Sequence, residues 1–349
     1  MQGTHENGGE AGTGGSSGGM NAENRHENRA GNRMNRLALY VFWERNGDVH
    51  DHVSYYLRGL SEVARDVVVI VNGTLSGQGK KRLEALGVDF FVRENRGIDF
   101  AAWQAALART GWEQLSRYDE LVLCNSSCYG PMYPFSEMFR AMEGRACDFW
   151  GINRQPEVPE KILGDAGAPF SMKEHIQSYF YVFRQKVIRS EAFRNWWRNL
   201  VPAESYWEEV RDHEMAFSGY LEAHGFRSDT FLNADKYRKL APLGDAWNIC
   251  ADVQLAEDRN PLVKRKALFA PTEASLRTWE HIRYHTSYPV ESLLADYPKK
   301  EEFSPLHIIK YHLMTRLTSG EKKKRYSIKE RKALFLSYLH LDLTRKKHA

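Results

Sequence analysis

Two short, almost wholly apolar runs, Leu37–Trp43 and Asp66–Val71, constrain the chain more than any other feature. Runs of that length, the second rich in β-branched residues, read as strands buried on both faces. Between them Val49, Val53, Tyr56, Leu57, Leu60 and Val63 recur at helical spacing, so the segment reads strand, helix, strand. The pattern continues with a short helix over Lys80–Leu86, a strand over Val88–Val92, a helix over Asp99–Arg109 and a strand over Glu120–Cys124. Four strands alternating with helices predict an α/β fold with an open, mostly parallel sheet flanked by helices. Its ligand crevice is expected outside the carboxyl ends of the strands. The loops there are Glu44–Gly47, Asn72–Thr74, Glu94–Asp99 and Asn125–Pro131, and Asn72 is placed among the ligand-binding candidates.

The second half changes character. Ser178–Phe183 reads as a strand, Gln185–Leu200 as one aromatic-rich helix, and Asp212–His224 as a helix beginning at its acidic end and closed by Gly225. Trp196 and Trp197, spaced with Phe193 and Leu200, read as core. Pro261–Phe269 is short and basic, and Pro305–Lys347 carries two amphipathic helical stretches around Lys322–Arg325. These features predict a leader over residues 1–35 without fixed structure, a catalytic domain over 36–300 and a basic helical extension over 301–349.

Apolar residues at 42% and charged residues at 27% are ordinary for a globular protein. The net charge of +4 is unevenly spread, because residues 310–349 alone carry +9. A terminal basic run without interleaved aromatics on a folded face excludes a nucleic-acid partner. Its amphipathic stretches suit peripheral contact with an anionic membrane surface instead. No apolar run approaches the roughly 20 residues that span a bilayer, and no secretory h-region opens the chain. The expected location is therefore cytoplasmic, peripheral at the inner face of the plasma membrane where the basic tail makes contact. Cys124, Cys128, Cys147 and Cys250 lack zinc-ligand spacing and read as reduced thiols. The pairs His50 with His52 and His281 with His285 lack a third ligand at a recognised spacing.

Chemistry concentrates in two loops. Asn95-Arg96-Gly97-Ile98-Asp99 lies between a strand and a helix, where free N–H groups and the helix dipole favour a phosphate. Arg96 supplies a bidentate cation for a diphosphate, Gly97 allows close approach, and Asp99 either caps the helix or binds a ribose or base. The second loop, Asn125-Ser126-Ser127, stands where a nucleotide-sugar transferase carries a D-x-D-like element for Mg²⁺ or Mn²⁺. The expected cofactor is therefore Mg²⁺ or Mn²⁺, with no carboxylate in this loop to secure it. The diphosphate is expected to be met by Arg96, backbone N–H groups and Lys264 or Arg265.

In sequence order, Asn95–Asp99, Asn125–Pro131, Asp148–Gly151, Gln177–Phe183 and Tyr288–Val290 resemble the rhamnan synthesis protein F family over about residues 37–297. The resemblance implies a GT-A-like glycosyltransferase that moves L-rhamnose from a dTDP-sugar donor to a lipid-linked or polysaccharide acceptor. It also implies a general base in the acidic pair Asp212 and Glu214, with Glu214 the better match and Asp212 the reserve. One departure stands out: the family has Asn-Asp-Ser where this chain has Asn125-Ser126-Ser127. That substitution leaves a second reading open, a non-catalytic nucleotide-sugar-fold partner of another transferase.

Overall fold

The computed structural model describes residues 34–158, 170–240, 250–268 and 273–290. The leader up to residue 33 and the basic extension lie outside the described residues, as does the 300/301 boundary proposed for it. Strands β1 (Arg36–Phe42), β2 (Asp66–Asn72), β3 (Asp89–Arg93) and β4 (Glu120–Asn125) form where the apolar runs predict them. They belong to a seven-stranded sheet completed by β6 (Phe149–Gly151), β9 (Phe180–Arg184) and β10 (Ser228–Thr230), in the order β10-β6-β9-β4-β1-β2-β3. Only β9 runs antiparallel, to β4 on one side and β6 on the other. The architecture is thus the expected α/β class, an open and mostly parallel sheet flanked by helices.

Both faces of the sheet are covered, which explains why the strands carry no polar alternation. On one face, Tyr40, Phe42, Val69 and Val71 pack with Val53, Tyr56, Leu57 and Leu60 of α1 (Asp51–Val63) and with Phe135, Met138 and Phe139 of the helix Phe135–Glu143. On the other, Leu39, Val41 and Leu121 pack with Phe100, Trp103 and Leu107 of the helix Ile98–Thr110 and with Phe193, Trp197 and Phe217. Trp197 is core, as its spacing predicts, at 1% exposure. The helix Gly77–Leu86 has local signals at both ends: the Ser76 hydroxyl accepts from the Gly79 N–H at 2.9 Å, and Gly87 closes it in the left-handed conformation.

Two expectations in the second half need correction. Gln185–Leu200 is not one helix but two, Gln185–Ile188 and Glu191–Asn199, because the Ser190 hydroxyl accepts from the Phe193 N–H and restarts the helix. Asp212 does not open a helix either. The chain enters at Tyr206–Glu208, widens into a π-helical segment over Glu209–Glu214 and continues as the α-helix Met215–Ala223, with Gly225 at φ 83° beyond its end. Among the described residues no helix is long and apolar enough to cross a membrane.

Two short pairings outside the main sheet position the site. The strand β5 (Cys128–Tyr129) pairs antiparallel with β11 (Val263–Lys264), and β7 (Arg154–Gln155) with β8 (His175–Ile176). Gly130 makes the first pairing possible, since a Cβ there would lie 2.5 Å from the Pro261 carbonyl oxygen and 2.5 Å from Leu262 Cδ2.

Candidate active site

The strand order reverses at β1 and β4, so the loops that leave their carboxyl ends diverge and open a crevice. The Ser126 N–H donates to the Val41 carbonyl at 3.0 Å, and the Trp43 N–H reaches the Ser126 hydroxyl at 3.4 Å. Asn125 closes the turn as an Asx motif: its Oδ1 accepts from the Ser127 N–H at 3.1 Å and from the Ser127 hydroxyl at 2.6 Å. Its amide nitrogen crosses to β3's loop and donates to Asp99 Oδ2 at 2.7 Å. One hydrogen bond therefore joins the two loops that the sequence singles out.

The Asn95–Asp99 loop is held by side chains of the neighbouring strands. Asn72, at the end of β2, donates to the Ile98 carbonyl at 3.1 Å and accepts from Arg93, whose guanidinium also donates to the Arg96 carbonyl at 2.8 Å. Gly97 has φ 72°, and a Cβ there would lie 2.5 Å from Pro202 Cβ and 2.6 Å from Ala101 Cβ. Ile98 follows at φ 47°, a conformation that disfavours a β-branched residue by roughly 1–3 kcal/mol. The side chains of Asn95 and Arg96 are exposed at the crest of this loop.

The expected phosphate cradle at the start of the helix Ile98–Thr110 is already filled. The Asp99 and Phe100 N–H groups both donate to Glu209 Oε1, at 3.0 and 2.9 Å. A buried carboxylate from the π-helical segment thus meets the positive end of the helix dipole, and Glu209 Oε2 bonds to His213 Nδ1 at 2.7 Å. Asp99 does not cap the helix with its side chain; it accepts from Asn125 instead.

Burial, then the nearby Glu209 charge, push the Asp99 carboxyl up to about 7; the Asn125 hydrogen bond opposes this, Glu214 adds to it, and Lys264 opposes it. Because the folded carboxyl keeps its proton to higher pH than the unfolded one, the native state binds the extra proton between about pH 4 and pH 7. Stability contributed by this group therefore falls as pH rises through that window. Asp99→Asn, which keeps an acceptor for Asn125, should gain on the wild type by on the order of 1–3 kcal/mol between pH 5 and pH 8. Thermal unfolding across that range checks it, and a difference independent of pH would count against the burial of Asp99.

Glu214 and Asp212 part company. The Ser178 N–H donates to Glu214 Oε1 at 2.8 Å, His175 Nε2 lies 4.0 Å from the same oxygen, and Oε2 has no hydrogen-bond partner among the described residues. Asp212 is half exposed and forms a two-point pair with its neighbour Arg211, at 2.6 Å for both contacts, which holds its carboxyl below the usual range. Two residues along a widened helical turn suffice to turn one carboxylate outward and the other toward Ser178.

The residue after Ser178 links Glu214 to the C-terminal segment. The Lys264 ammonium lies 4.7 Å from the centroid of the Tyr179 ring, and Lys264 stands opposite Cys128, one residue beyond Ser127. The Arg265 N–H donates to the Ser127 carbonyl at 3.1 Å, while its guanidinium lies 5.4 Å from the Tyr129 ring centroid. Asn125, Asp99, Glu214 and Lys264 are thereby gathered at one edge of the sheet, Arg96 stays exposed on its loop, and Asp212 lies apart.

The D-x-D-like loop does not fit a hard divalent cation, which calls for several anionic or free carbonyl oxygens. Asn125 Oδ1 already accepts twice, Ser126 and Ser127 are neutral, and the adjoining Asp99 carboxyl is engaged by Asn125. Among the described residues no group of three His, Cys, Asp or Glu side chains could hold a metal ion.

Sequence reasoning missed Glu209, because an acid in a helix reads as a solvated residue until its partner 110 positions away is seen. It also missed Trp43, half exposed at 51% where β1 opens into the crevice. An apolar ring at a carboxyl-end loop is the signal that was available for it.

A family model described as rhamnan synthesis protein F matches residues 67–347. An uncharacterized protein, y4gN, of Sinorhizobium fredii is 22% identical over 193 residues, covering 54% of this chain and 46% of its own length, so the chain spans less than half of that relative. Among solved structures, glucosyl-3-phosphoglycerate synthase of Mycobacterium tuberculosis, in complex with phosphoglyceric acid, aligns at TM-score 0.28 and 15% identity, covering 44% of this chain and 58% of the other. The same enzyme in complex with Mn²⁺, uridine diphosphate and glucosyl-3-phosphoglycerate gives the same values. A 4-diphosphocytidyl-2C-methyl-D-erythritol synthase aligns at TM-score 0.36 and 13% identity, covering 56% and 87%. With the family model extending over well more than half of its length, from β2 through the described C-terminal helices, the chain belongs to the rhamnan synthesis protein F family.

Proposed function

We propose that the chain is a glycosyltransferase that moves a sugar, L-rhamnose from dTDP-rhamnose, onto a lipid-linked or polysaccharide acceptor during surface-polysaccharide synthesis. Membership of the rhamnan synthesis family supports the class of reaction. The observation that carries the chemistry is the Glu214 carboxylate, fixed through one oxygen by the Ser178 N–H with the other left without a partner among the described residues, beside the Asn125–Asp99 loops. In this reading the nucleotide diphosphate lies in the crevice between the β1 and β4 loops. Glu214 Oε2 takes the acceptor's hydroxyl proton as that oxygen attacks the anomeric carbon from the face opposite the leaving diphosphate. A single displacement of this kind inverts the anomeric centre.

Donor-binding roles follow the same reading. Asn72, Asn95, Gly97 and Asp99 shape one wall of the crevice, Asn125, Ser126 and Ser127 the other, and Arg96, Lys264 and Arg265 supply positive charge. The reaction is assigned to the cytoplasmic side of the membrane, with the basic extension holding the enzyme near a lipid-linked acceptor.

The purified protein should release dTDP from dTDP-rhamnose in the presence of a rhamnan or lipid-linked acceptor, and an anomeric NMR assignment of the product should report inversion. Ser126, a neutral residue where the family carries an acid, favours the alternative of a non-catalytic partner. Binding of dTDP-rhamnose without turnover, in every acceptor mixture tested, would select that alternative.

A further inference from the structure

We propose that Lys264 takes the charge-neutralising place of a divalent cation, so that this chain holds a nucleoside diphosphate without metal; the inference rests on the transferase reading above.

Three independent features lead to it. The oxygens beside the β4 loop do not make a cation site: Asn125 Oδ1 already receives two hydrogen bonds from Ser127, and Asp99 is held by the Asn125 amide. Secondly, backbone pairing fixes the position from which the Lys264 side chain reaches the site. The β5–β11 ladder sets Lys264 opposite Cys128, the Arg265 N–H donates to the Ser127 carbonyl, and the Met132 N–H donates to the Pro261 carbonyl at 2.7 Å. Gly130 is the only residue type that admits this approach, since any Cβ would strike the Pro261 carbonyl. Thirdly, the ammonium is half-buried against the Tyr179 ring and forms no salt bridge among the described residues. A cation partly withdrawn from water without a paired anion is costly to hold. An anionic ligand at the neighbouring loop removes that cost and gains charge-assisted hydrogen bonds.

Position also matters to the reaction. Lys264 sits over Tyr179, and the preceding residue, Ser178, holds Glu214. The cation and the proposed base are therefore tied to adjacent residues at the entry to β9, with the cation on the leaving diphosphate and the base on the attacking hydroxyl. As the sugar–oxygen bond breaks, the charge that develops on the leaving diphosphate meets a preformed ammonium.

Calorimetric titration of the full chain with dTDP, UDP and GDP, first in EDTA and then with Mn²⁺, tests the inference. The preferred nucleotide is expected to bind in EDTA with a Kd within about twofold of that in Mn²⁺. Lys264→Gln should weaken it by about ten- to a hundredfold, the worth of one charge-assisted hydrogen bond, and Lys264→Arg should recover most of the loss. Near-UV circular dichroism of both variants verifies that the fold is kept. Binding that appears only with Mn²⁺, or that Lys264→Gln leaves unchanged, overturns the role of Lys264 while the nucleotide-sugar reading stands. Failure of every nucleoside diphosphate to bind the wild type under both conditions overturns the reading and the inference together.

Discussion

Glu214→Gln is expected to lower kcat by about 10²- to 10⁴-fold, the usual contribution of general-base assistance, while leaving dTDP affinity within a few-fold of the wild type. The split follows from geometry. Glutamine preserves an oxygen for the Ser178 N–H, which now binds Glu214 Oε1 at 2.8 Å, so the turn should keep its shape. What glutamine loses is the ability to take a proton on the second oxygen, and that matters only as the acceptor hydroxyl attacks. The comparison that makes the result specific is Asp212→Asn. Asp212 is half exposed and paired with Arg211, and solvent screens exposed pairs of this kind, so the pair should matter little to turnover. Steady-state kinetics with dTDP-rhamnose and acceptor should therefore find Asp212→Asn near normal. Near-normal turnover in Glu214→Gln, or a larger loss in Asp212→Asn with the fold intact, would transfer the role of base away from Glu214.

The largest effect on stability is expected at Glu209, a residue without a direct part in the chemistry. Its carboxylate accepts from the Asp99 and Phe100 N–H groups through one oxygen and bonds His213 through the other. Glu209→Ala removes the cap of the helix Ile98–Thr110, worth about 1 kcal/mol, and strands buried donors that cost about 1–3 kcal/mol each. A total near 3–5 kcal/mol is expected, measured as a shift of the urea midpoint with an unchanged slope. A loss below about 1 kcal/mol would mean that water or a nearby side chain satisfies those donors. Removing the Glu209 charge also relieves Asp99, whose carboxyl should then titrate lower, because Glu209 is the strongest charge pushing it up. Nuclear magnetic resonance of the Asp99 carboxyl in the milder Glu209→Gln variant reads that coupling without the full loss of the cap.

The Asp148-Phe149-Trp150-Gly151 motif illustrates how far a resemblance reaches without a structure. It forms β6, where Trp150 is buried and Gly151 is required because a Cβ would lie 2.2 Å from Ile176 Cγ2. Asp148 accepts from Lys186 and from the Arg227 N–H at 2.9 Å each, so it ties β6 to the neighbouring elements and does no chemistry. Tyr288, in another matching motif, packs edge-on against Tyr55 with ring centroids 4.9 Å apart. Such residues identify the family through the architecture they maintain.

What the sequence determined by itself is the set of elements whose signal is local. Strands β1 to β4 and the helices between them appear within a residue or two of the expected bounds in most cases, because buried strands need continuous apolar runs and covering helices need an apolar stripe. Local chemistry offered Asn125, Asp99 and Lys264 as candidates, and the family resemblance offered Glu214. Only the tertiary structure decided which of them meet. Glu209 reaches the helix start 110 positions earlier, and Lys264 is carried to Ser127 by a two-residue ladder that no periodicity announces. The widened turn over Glu209–Glu214 points its acids apart, with Glu209 bonded to the Asp99 N–H, Glu214 to the Ser178 N–H and Asp212 left to its neighbour Arg211. Hydrogen bonds and charge act over a few ångströms in space, and sequence spacing predicts that separation only within a single helix or strand.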